Sequence, residues 1–223
     1  MLITPEQTLE AYERWAPSYE PVPHNPLMRA EQCAMLKQWP HVSGGRALDL
    51  ACGSGRYAKL LTWAGAATVI ALDFSAGMLQ RVSGGLKVRA SMMSLPFVDQ
   101  AFDVIVSGLA IGHASSIDRL MSECARVLDR RGILLYSDFH AQAAHAGLVR
   151  SFKDATGATC VIPHHAYDLD AQVEAATAAG MVIESTMELR AGIEIAEPFT
   201  GSEEFYRQWQ GLPLALIVRA RKR

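Results

Sequence analysis

The segment with the richest chemistry runs from Asp49 to Arg56 and reads DLACGSGR. A short apolar run, ALDLA, leads into it, and the residues after it are typical of a helix. Glycines at 53 and 55 allow a sharp turn and a close approach of the backbone to a ligand. A second acid, Asp73, ends the next apolar run 24 residues after the first. Because an acid about 20 residues beyond such a loop commonly binds ribose hydroxyls, the two features predict a site for a nucleoside ligand.

Two nucleoside ligands are compatible with this loop. Read from Gly53, the pattern GxGxxA matches the dinucleotide fingerprint, whereas read from Asp49 the pattern DxAxGxG is similar to loops that bind S-adenosylmethionine. A dinucleotide would place its diphosphate beside the Asp49 carboxylate, and S-adenosylmethionine would place an ammonium and a sulfonium there. Opposite unit charges ~4 Å apart attract by about 4 kcal/mol at an effective dielectric near 20, and like charges repel as strongly. Asp49 therefore favours the cationic ligand, with simple capping of loop amides as the alternative.

Side chains able to move a proton follow the fourth and fifth predicted strands. His113 comes after the strand at 102–107, and Asp138 and His140 come after the strand at 132–137. Since open α/β sheets bind ligands beyond the carboxyl ends of their strands, these groups could converge over the cofactor. We interpret all three as candidate catalytic residues, with a histidine base and an orienting acid among them. The alternative is that the histidine after the fourth strand is a cap or a core group.

Other reactive side chains form weaker patterns. His164 and His165 follow Cys160, but two adjacent histidines do not readily face one ion, and no further ligands have metal-site spacing. The sequence therefore predicts no metal site, and we expect these histidines to line a substrate pocket. Cys52 stands at the start of a predicted helix, where we expect it to act as small apolar filling.

Alternating strands and helices must position these groups. Such alternation implies βαβ units with right-handed crossovers and a mostly parallel sheet. The predicted strands are 47–51, 68–72, 86–90, 102–107, 132–137, 181–188 and 214–220. The predicted helices are 6–19, 25–39, 57–63, 75–80, 117–128, 142–155, 169–179 and 202–210. We expect the final strand to lie antiparallel at the sheet edge, beside the sixth.

These elements predict an α/β fold with a doubly wound, Rossmann-like sheet of seven mostly parallel strands, an antiparallel last strand and an N-terminal helical cap. At 223 residues the chain fits a single domain. We assign residues 1–42 to the cap, 43–140 to the cofactor-binding core and 141–223 to a C-terminal part on the substrate side of the sheet.

Composition excludes several classes of protein. Half of the residues are apolar and 20% are charged, which excludes intrinsic disorder over most of the chain. With 23 acidic against 21 basic residues and no basic patch, we expect no nucleic-acid partner. No apolar run approaches the ~20 residues of a membrane helix, so no membrane association is expected. The start lacks signal-peptide character and the four cysteines are scattered, which favours a cytoplasmic location.

The ordered motifs resemble those of class I S-adenosylmethionine-dependent methyltransferases, in particular the broad group with the ubiquinone, menaquinone and biotin-synthesis methyltransferases. The resemblance covers roughly residues 8–140. Its parts are YERWAPSY at 12–19, the glycine loop, LDFS at 72–75, LPF at 95–97 and FDVIVS at 102–107. Each part alone is weak, and the ordered set is far more specific than the dinucleotide fingerprint.

The resemblance also implies which residues hold the cofactor. The loop would hold the methionine part, the acid after the second strand the ribose, and the residues after the third strand the adenine. The implied residues are Tyr19, Asp49, Ala51, Gly53, Gly55, Asp73, Phe74, Met78, Ser91, Met92 and Gly108. The family often has Gly in place of Ala51 and Asp in place of Ser91, so we expect weaker discrimination of adenine. Tyr12, Trp15 and Tyr19 are expected either to cover the cofactor or to pack the cap on the core.

The implied reaction is methyl transfer from S-adenosylmethionine to a small molecule, with S-adenosylhomocysteine as product. Two alternatives remain open at this point. One is an NAD(P)-dependent oxidoreductase that uses the same glycines, and the other is an S-adenosylmethionine-binding protein without turnover. The identity of the acceptor, the atom that is methylated and the oligomeric state are all left open by the sequence.

Overall fold

A computed structural model describes residues 4–154, 156–195 and 202–223. A seven-stranded sheet forms its centre, in the order β3-β2-β1-β4-β5-β9-β8. The strands are β1 (Arg46–Leu50), β2 (Thr68–Asp73), β3 (Leu86–Arg89), β4 (Phe102–Ser107), β5 (Leu128–Phe139), β8 (Met181–Arg190) and β9 (Pro213–Lys222). Strands β1 to β5 pair in parallel, and β9 pairs antiparallel with both of its neighbours. The predicted seven-stranded, mostly parallel, doubly wound sheet is therefore confirmed.

The position of the last strand differs from the prediction. Strand β9 lies between β5 and β8, so β8 is the edge strand. The physical reason is burial on both faces, because every side chain from Leu214 to Val218 is almost inaccessible to solvent. Strand β8 instead alternates between more buried and more exposed positions, as suits a strand with one covered face.

Helices cover both faces of the sheet. They are α1 (Pro5–Trp15), α2 (Pro26–Lys37), α3 (Arg56–Trp63), α4 (Ala76–Arg81), α5 (Ile117–Val127), α6 (Ala141–His145), α7 (Leu169–Ala178) and α8 (Ser202–Trp209). Asn25 caps α2 by accepting the Met28 amide at 2.9 Å, with Pro26 as the first helical residue. This is the start that the Asn-Pro pair favours. Among the described residues, no helix has both the length and the apolar character required to cross a bilayer.

The predicted helix over 142–155 is wrong. Helix α6 ends at His145, and Gly147 follows with a φ of 97°, a left-handed conformation that stops a helix. A two-stranded ribbon comes next, formed by β6 (Ser151–Lys153) and β7 (Thr159–Val161). The predicted helix 6–19 is also shorter, because α1 gives way to a 3₁₀ turn at Ala16–Ser18, which contains Pro17.

Candidate functional site

A cavity opens at the carboxyl ends of β1, β2 and β4, which is where open α/β sheets bind ligands. Ten of the residues that the sequence predicts line it, namely Tyr19, Asp49, Ala51, Gly53, Asp73, Phe74, Ser91, Met92, Gly108 and His113. Helix α1 contributes Pro5, Thr8, Leu9 and Tyr12 on the opposite side. The cavity therefore lies between the strand ends and the N-terminal helices.

Backbone geometry explains the shape of the glycine loop. Ala51, Gly53 and Gly55 have φ values of 54°, 55° and 83°. A β-carbon on Gly55 would lie 2.9 Å from a methyl group of Val82, so the loop needs glycine there for space as well as for conformation. Gly55 directly precedes α3 and does not line the cavity, and its role is to turn the chain into the helix.

Asp49 has the environment of a cation-binding group. Its Oδ2 accepts the Ala58 amide at 2.6 Å, while its Oδ1 is buried and has no hydrogen-bond partner among the described residues. Burial, with a smaller contribution from the charge of Asp73, raises the pKa of Asp49 to about 7, against the opposing effects of the Ala58 amide and the Arg56 guanidinium. The carboxylate thus caps the helix with one oxygen and leaves the other for a ligand in the cavity.

Asp73 joins the end of β2 to the glycine loop. Its Oδ2 accepts the Gly53 amide and its Oδ1 accepts the Ser75 amide, both at 2.8 Å. Burial raises the pKa of Asp73, and the surrounding backbone amides oppose that rise. Each oxygen accepts one bond from the described residues and has a second lone pair, so the side chain retains the capacity to accept ribose hydroxyls.

The region after β3 supplies the remaining wall on this side. The Phe74 ring is 39% exposed and lines the cavity with Ser91 and Met92. The Ser91 hydroxyl accepts the Met93 amide at 3.1 Å, which leaves its own proton free to donate. Met78, by contrast, is fully buried beneath this wall and does not line the cavity.

A group of three interacting side chains, Tyr12, His113 and Arg150, also lines the cavity. The Nε2 atom of His113 lies 2.6 Å from Nη1 of Arg150 and 2.8 Å from the hydroxyl of Tyr12. Because a guanidinium can only donate, Nε2 must be unprotonated. Burial, followed by the charge of Arg150, holds the pKa of His113 well below its usual range. The imidazole is therefore neutral, and its free electron pair already accepts hydrogen bonds.

Arg150 is a site residue that sequence reasoning missed. It lies between α6 and β6, in the segment predicted as helix, and it lines the cavity. Its Nη2 donates to the carbonyl of Leu109, and its guanidinium lies 4.7 Å from the centre of the Phe139 ring. No local motif marks the residue, because its contacts are with residues far away in the chain.

Asp138 and His140 do not line this cavity. Asp138 belongs to β5, and burial raises its pKa to about 6 against the charge of Arg150. His140 accepts the Gln142 amide at its Nδ1 and so caps α6, while its Nε2 lies 3.4 Å from Glu188. The structure therefore does not join either residue to His113 by a hydrogen bond. Among the described residues, no group of three or more His, Cys, Asp or Glu side chains has a metal-site arrangement.

A buried network anchors the N-terminal cap behind the cavity. Glu31 of α2 accepts the hydroxyls of Tyr57 at 2.7 Å and Ser137 at 2.5 Å, and pairs with Arg56 at 2.9 Å. Ser137 in turn accepts the Leu109 amide at 2.9 Å. The network thereby joins the cap helix to α3, to β5 and to the loop after β4.

The central part of the chain is similar in sequence to several methyltransferases. A family profile described as "Methyltransferase domain" matches residues 48–136. Demethylmenaquinone methyltransferase of Thermobifida fusca is 36% identical over 106 residues, which are 44% of this chain and 44% of that protein. Malonyl-[acyl-carrier protein] O-methyltransferase of Enterobacter lignolyticus is 30% identical over 137 residues, 60% of this chain and 53% of that protein. The chain spans about half the length of the curated relatives it matches.

Solved structures share the fold over most of the chain. An S-adenosylmethionine-dependent methyltransferase from Mesorhizobium loti has a TM-score of 0.70 and 24% identity, covering 86% of this chain and 98% of that one. The [4+2]-cyclase SpnF has a TM-score of 0.71 and 18% identity, covering 100% and 97%. At such identities the likeness concerns the fold alone, and the two proteins are named for different reactions, as expected when function depends on the site.

Proposed function

We propose that the protein transfers a methyl group from S-adenosylmethionine to a small-molecule acceptor, a proposal supported by the match of residues 48–136 to the profile described as "Methyltransferase domain". The observation that carries the proposal is the buried, unpartnered Oδ1 of Asp49 in the wall of the cavity. A buried carboxylate oxygen without a partner is costly, and an ammonium ligand would remove that cost. A diphosphate in the same place would increase it, which disfavours the nicotinamide alternative.

The proposed cofactor contacts follow from the chemistry of each wall. Asp49 would hold the ammonium of the methionine part, with Ala51 and Gly53 allowing close approach of the backbone. Asp73 would accept the ribose hydroxyls, because both of its oxygens keep acceptor capacity. Phe74, Ser91 and Met92 would face the adenine. The ring of Tyr19 lies 3.7 Å from the position that a β-carbon on Gly53 would take, so we expect Tyr19 to cover the glycine loop.

The cofactor supplies a methyl group that is already activated by the sulfonium, and it leaves as S-adenosylhomocysteine. The task of the chain is therefore to bind, to align and to exclude water, and alignment alone can supply ~7–11 kcal/mol. Tyr12 and His113 also line the cavity, and we place the acceptor beside them. Since Nε2 of His113 is occupied by Arg150 and Tyr12, we assign His113 to positioning rather than to proton removal.

A small acceptor is supported by the enclosure of the site and by the relatives. Helix α1 lines the cavity directly, which leaves little room for a macromolecular surface to reach its floor. The names of the two relatives describe methylation of a demethylmenaquinone and of a malonyl group on its carrier protein. We extend to this chain only what these names share, which is a small organic group as the methyl acceptor.

A second candidate function is binding of the same cofactor without methyl transfer. The observation in its favour is that a protein named as a [4+2]-cyclase has this fold over the whole length of the chain. Calorimetry with S-adenosylmethionine, S-adenosylhomocysteine and NAD, on the natural protein and on Asp49→Asn, tests the ligand. We expect S-adenosylhomocysteine to bind and the variant to weaken it, and tight binding of NAD instead would contradict both candidates.

A tritiated-methyl screen over small acceptors then separates the two candidates. Transfer to any acceptor supports the methyltransferase. Cofactor binding with no transfer to a broad set of acids, phenols, amines and thiols would favour the protein without turnover.

A further inference from the structure

The guanidinium of Arg150 is a buried charge that faces the cavity without an acidic partner. The residue is only 9% exposed, yet it lines the cavity. No carboxylate among the described residues lies within 4.0 Å of its nitrogens, in contrast to Arg56, which pairs with Glu31. The described acid that senses its charge most directly is Asp138, which makes no ion pair with it and does not line the cavity. Buried charges are normally paired, so an unpaired one in a ligand cavity calls for an explanation.

The hydrogen bonds of Arg150 hold its guanidinium in place but use only some of its N–H donors. One N–H donates to Nε2 of His113 and one to the carbonyl of Leu109. A guanidinium has five N–H donors, so three have no partner among the described residues. The ring of Phe139 supports the group from one side at 4.7 Å. A held, planar cation with several free donors is the group best suited to a carboxylate or phosphate.

The charged side chains of the cavity wall fall into two groups. Asp49 and Asp73 line the part where we propose that the cofactor binds, and the cation that acts on Asp49 is Arg56. Arg150 lines the cavity together with His113 and Tyr12. The histidine is neutral there, so it brings no second positive charge. An anionic group beside Arg150 would thus meet a cation that has no ion pair with a described carboxylate, while the buried Asp138 senses its charge from outside the cavity wall.

We propose that Arg150 binds an anionic oxygen group of the acceptor and thereby makes the protein selective for acids. The proposal rests on the proposed function, because it concerns the part of the same cavity where we place the acceptor. The group is a carboxylate or a phosphate, since both present oxygens in a plane that a guanidinium can match. Tyr12 and His113 then serve to hold Arg150 in the orientation that the acceptor requires.

The test is calorimetric titration of matched ligands into the protein saturated with S-adenosylhomocysteine. The ligands are short-chain and aromatic carboxylic acids, their primary amides, inorganic phosphate and phenyl phosphate. We expect acids of at least one class to bind about tenfold or more tightly than their neutral counterparts, as one charge-assisted bond allows. The carboxylate and phosphate arms identify which anion the site takes.

Variants assign the preference to the residue. Arg150→Met should abolish the preference for acids while leaving the affinity for S-adenosylhomocysteine within about twofold, and Arg150→Lys should retain part of it. Arg207→Met removes an exposed charge from α8 and should change neither affinity. Unchanged affinity for S-adenosylhomocysteine also shows that the Met variant is folded.

Three results would overturn the proposal. The first is that acids bind no more tightly than their amides, or do not bind at all. The second is a preference for acids that survives in Arg150→Met. The third is a loss of S-adenosylhomocysteine affinity of about tenfold or more in that variant, which would place Arg150 in the cofactor site. Titrations without S-adenosylhomocysteine separate the two proposals. If the protein does not bind S-adenosylhomocysteine but still prefers acids through Arg150, the anion site stands and methyl transfer falls.

Discussion

The imidazole of His113 and the guanidinium of Arg150 meet at 2.6 Å between Nε2 and Nη1, in the wall of the cavity. The contact crosses 37 positions of sequence and links the loop after β4 to the segment before β6. It occupies the one atom with which a neutral histidine could remove a proton. The pairing therefore argues for a histidine that holds an arginine in place.

Replacement of His113 separates positioning from base catalysis. In His113→Gln the side-chain oxygen can still accept from Arg150, so we expect methyl transfer to an acceptor found in the screen to stay within about tenfold of the natural rate. His113→Ala removes the acceptor and should lose more, with Arg150 left free to move. The measurement is kcat and KM as a function of pH. An equal loss of 10²–10⁴ in both variants, with an altered pH profile, would instead identify His113 as a base.

The pKa of Asp49 makes cofactor binding depend on pH. Burial raises this pKa to about 7 in the free protein, and an ammonium ligand favours the ionised form and lowers it. Affinity for S-adenosylhomocysteine should therefore level off about one pH unit above this pKa and weaken below it, by up to about tenfold per pH unit until the pKa of the complex is reached. Calorimetry from pH 5.5 to 8.5 measures this. Asp49→Asn should bind weakly with no such slope, and a natural protein with a flat profile would contradict the assignment.

Gly108 has no room for a side chain. A β-carbon there would collide with Cε2 of Tyr57 and would lie 3.2 Å from Oε1 of Glu31. We expect Gly108→Ala to displace the Tyr57 ring, to lower the free energy of unfolding by about 1–3 kcal/mol and to weaken S-adenosylhomocysteine binding. Urea unfolding and calorimetry measure the two effects. In a Tyr57→Ala background the same change should cost much less, and equal costs in both backgrounds would show that the clash is not the cause.

Ala51 has a φ of 54°, a conformation that costs an L-residue roughly 1–2 kcal/mol and glycine almost nothing. We expect Ala51→Gly to raise the free energy of unfolding by about 0.5–1 kcal/mol. The rest of the relieved strain energy is offset because glycine has more conformational freedom in the unfolded chain. Ala11→Gly in the middle of α1 is the control, and it should destabilise by about 1 kcal/mol. Urea unfolding compares the two, and changes of the same sign would refute the strain at position 51.

Short-range patterns predicted the residues of the cavity wall that we assign to the cofactor. The glycine loop, Asp49 and Asp73 follow directly from strands β1 and β2, whose apolar runs and bounding glycines are visible in a few residues. The insertion of β9 between β5 and β8 was not predicted, because which strands pair depends on the burial of side chains across the whole sheet. Arg150 was missed for a related reason, since Gly147 ends the local helix and contacts with Leu109 and His113 then determine where the side chain lies.

The interior position of β9 has a consequence for biosynthesis. Until residues 213–222 have left the ribosome, β5 lacks its second neighbour and β8 has no partner in the sheet, so both present unpaired backbone groups. Open edges are templates for pairing with other chains. The seven-stranded sheet should therefore be complete only after β9 has paired, and truncation before Pro213 should yield a chain that aggregates and requires chaperones, even though every residue of the glycine loop is intact.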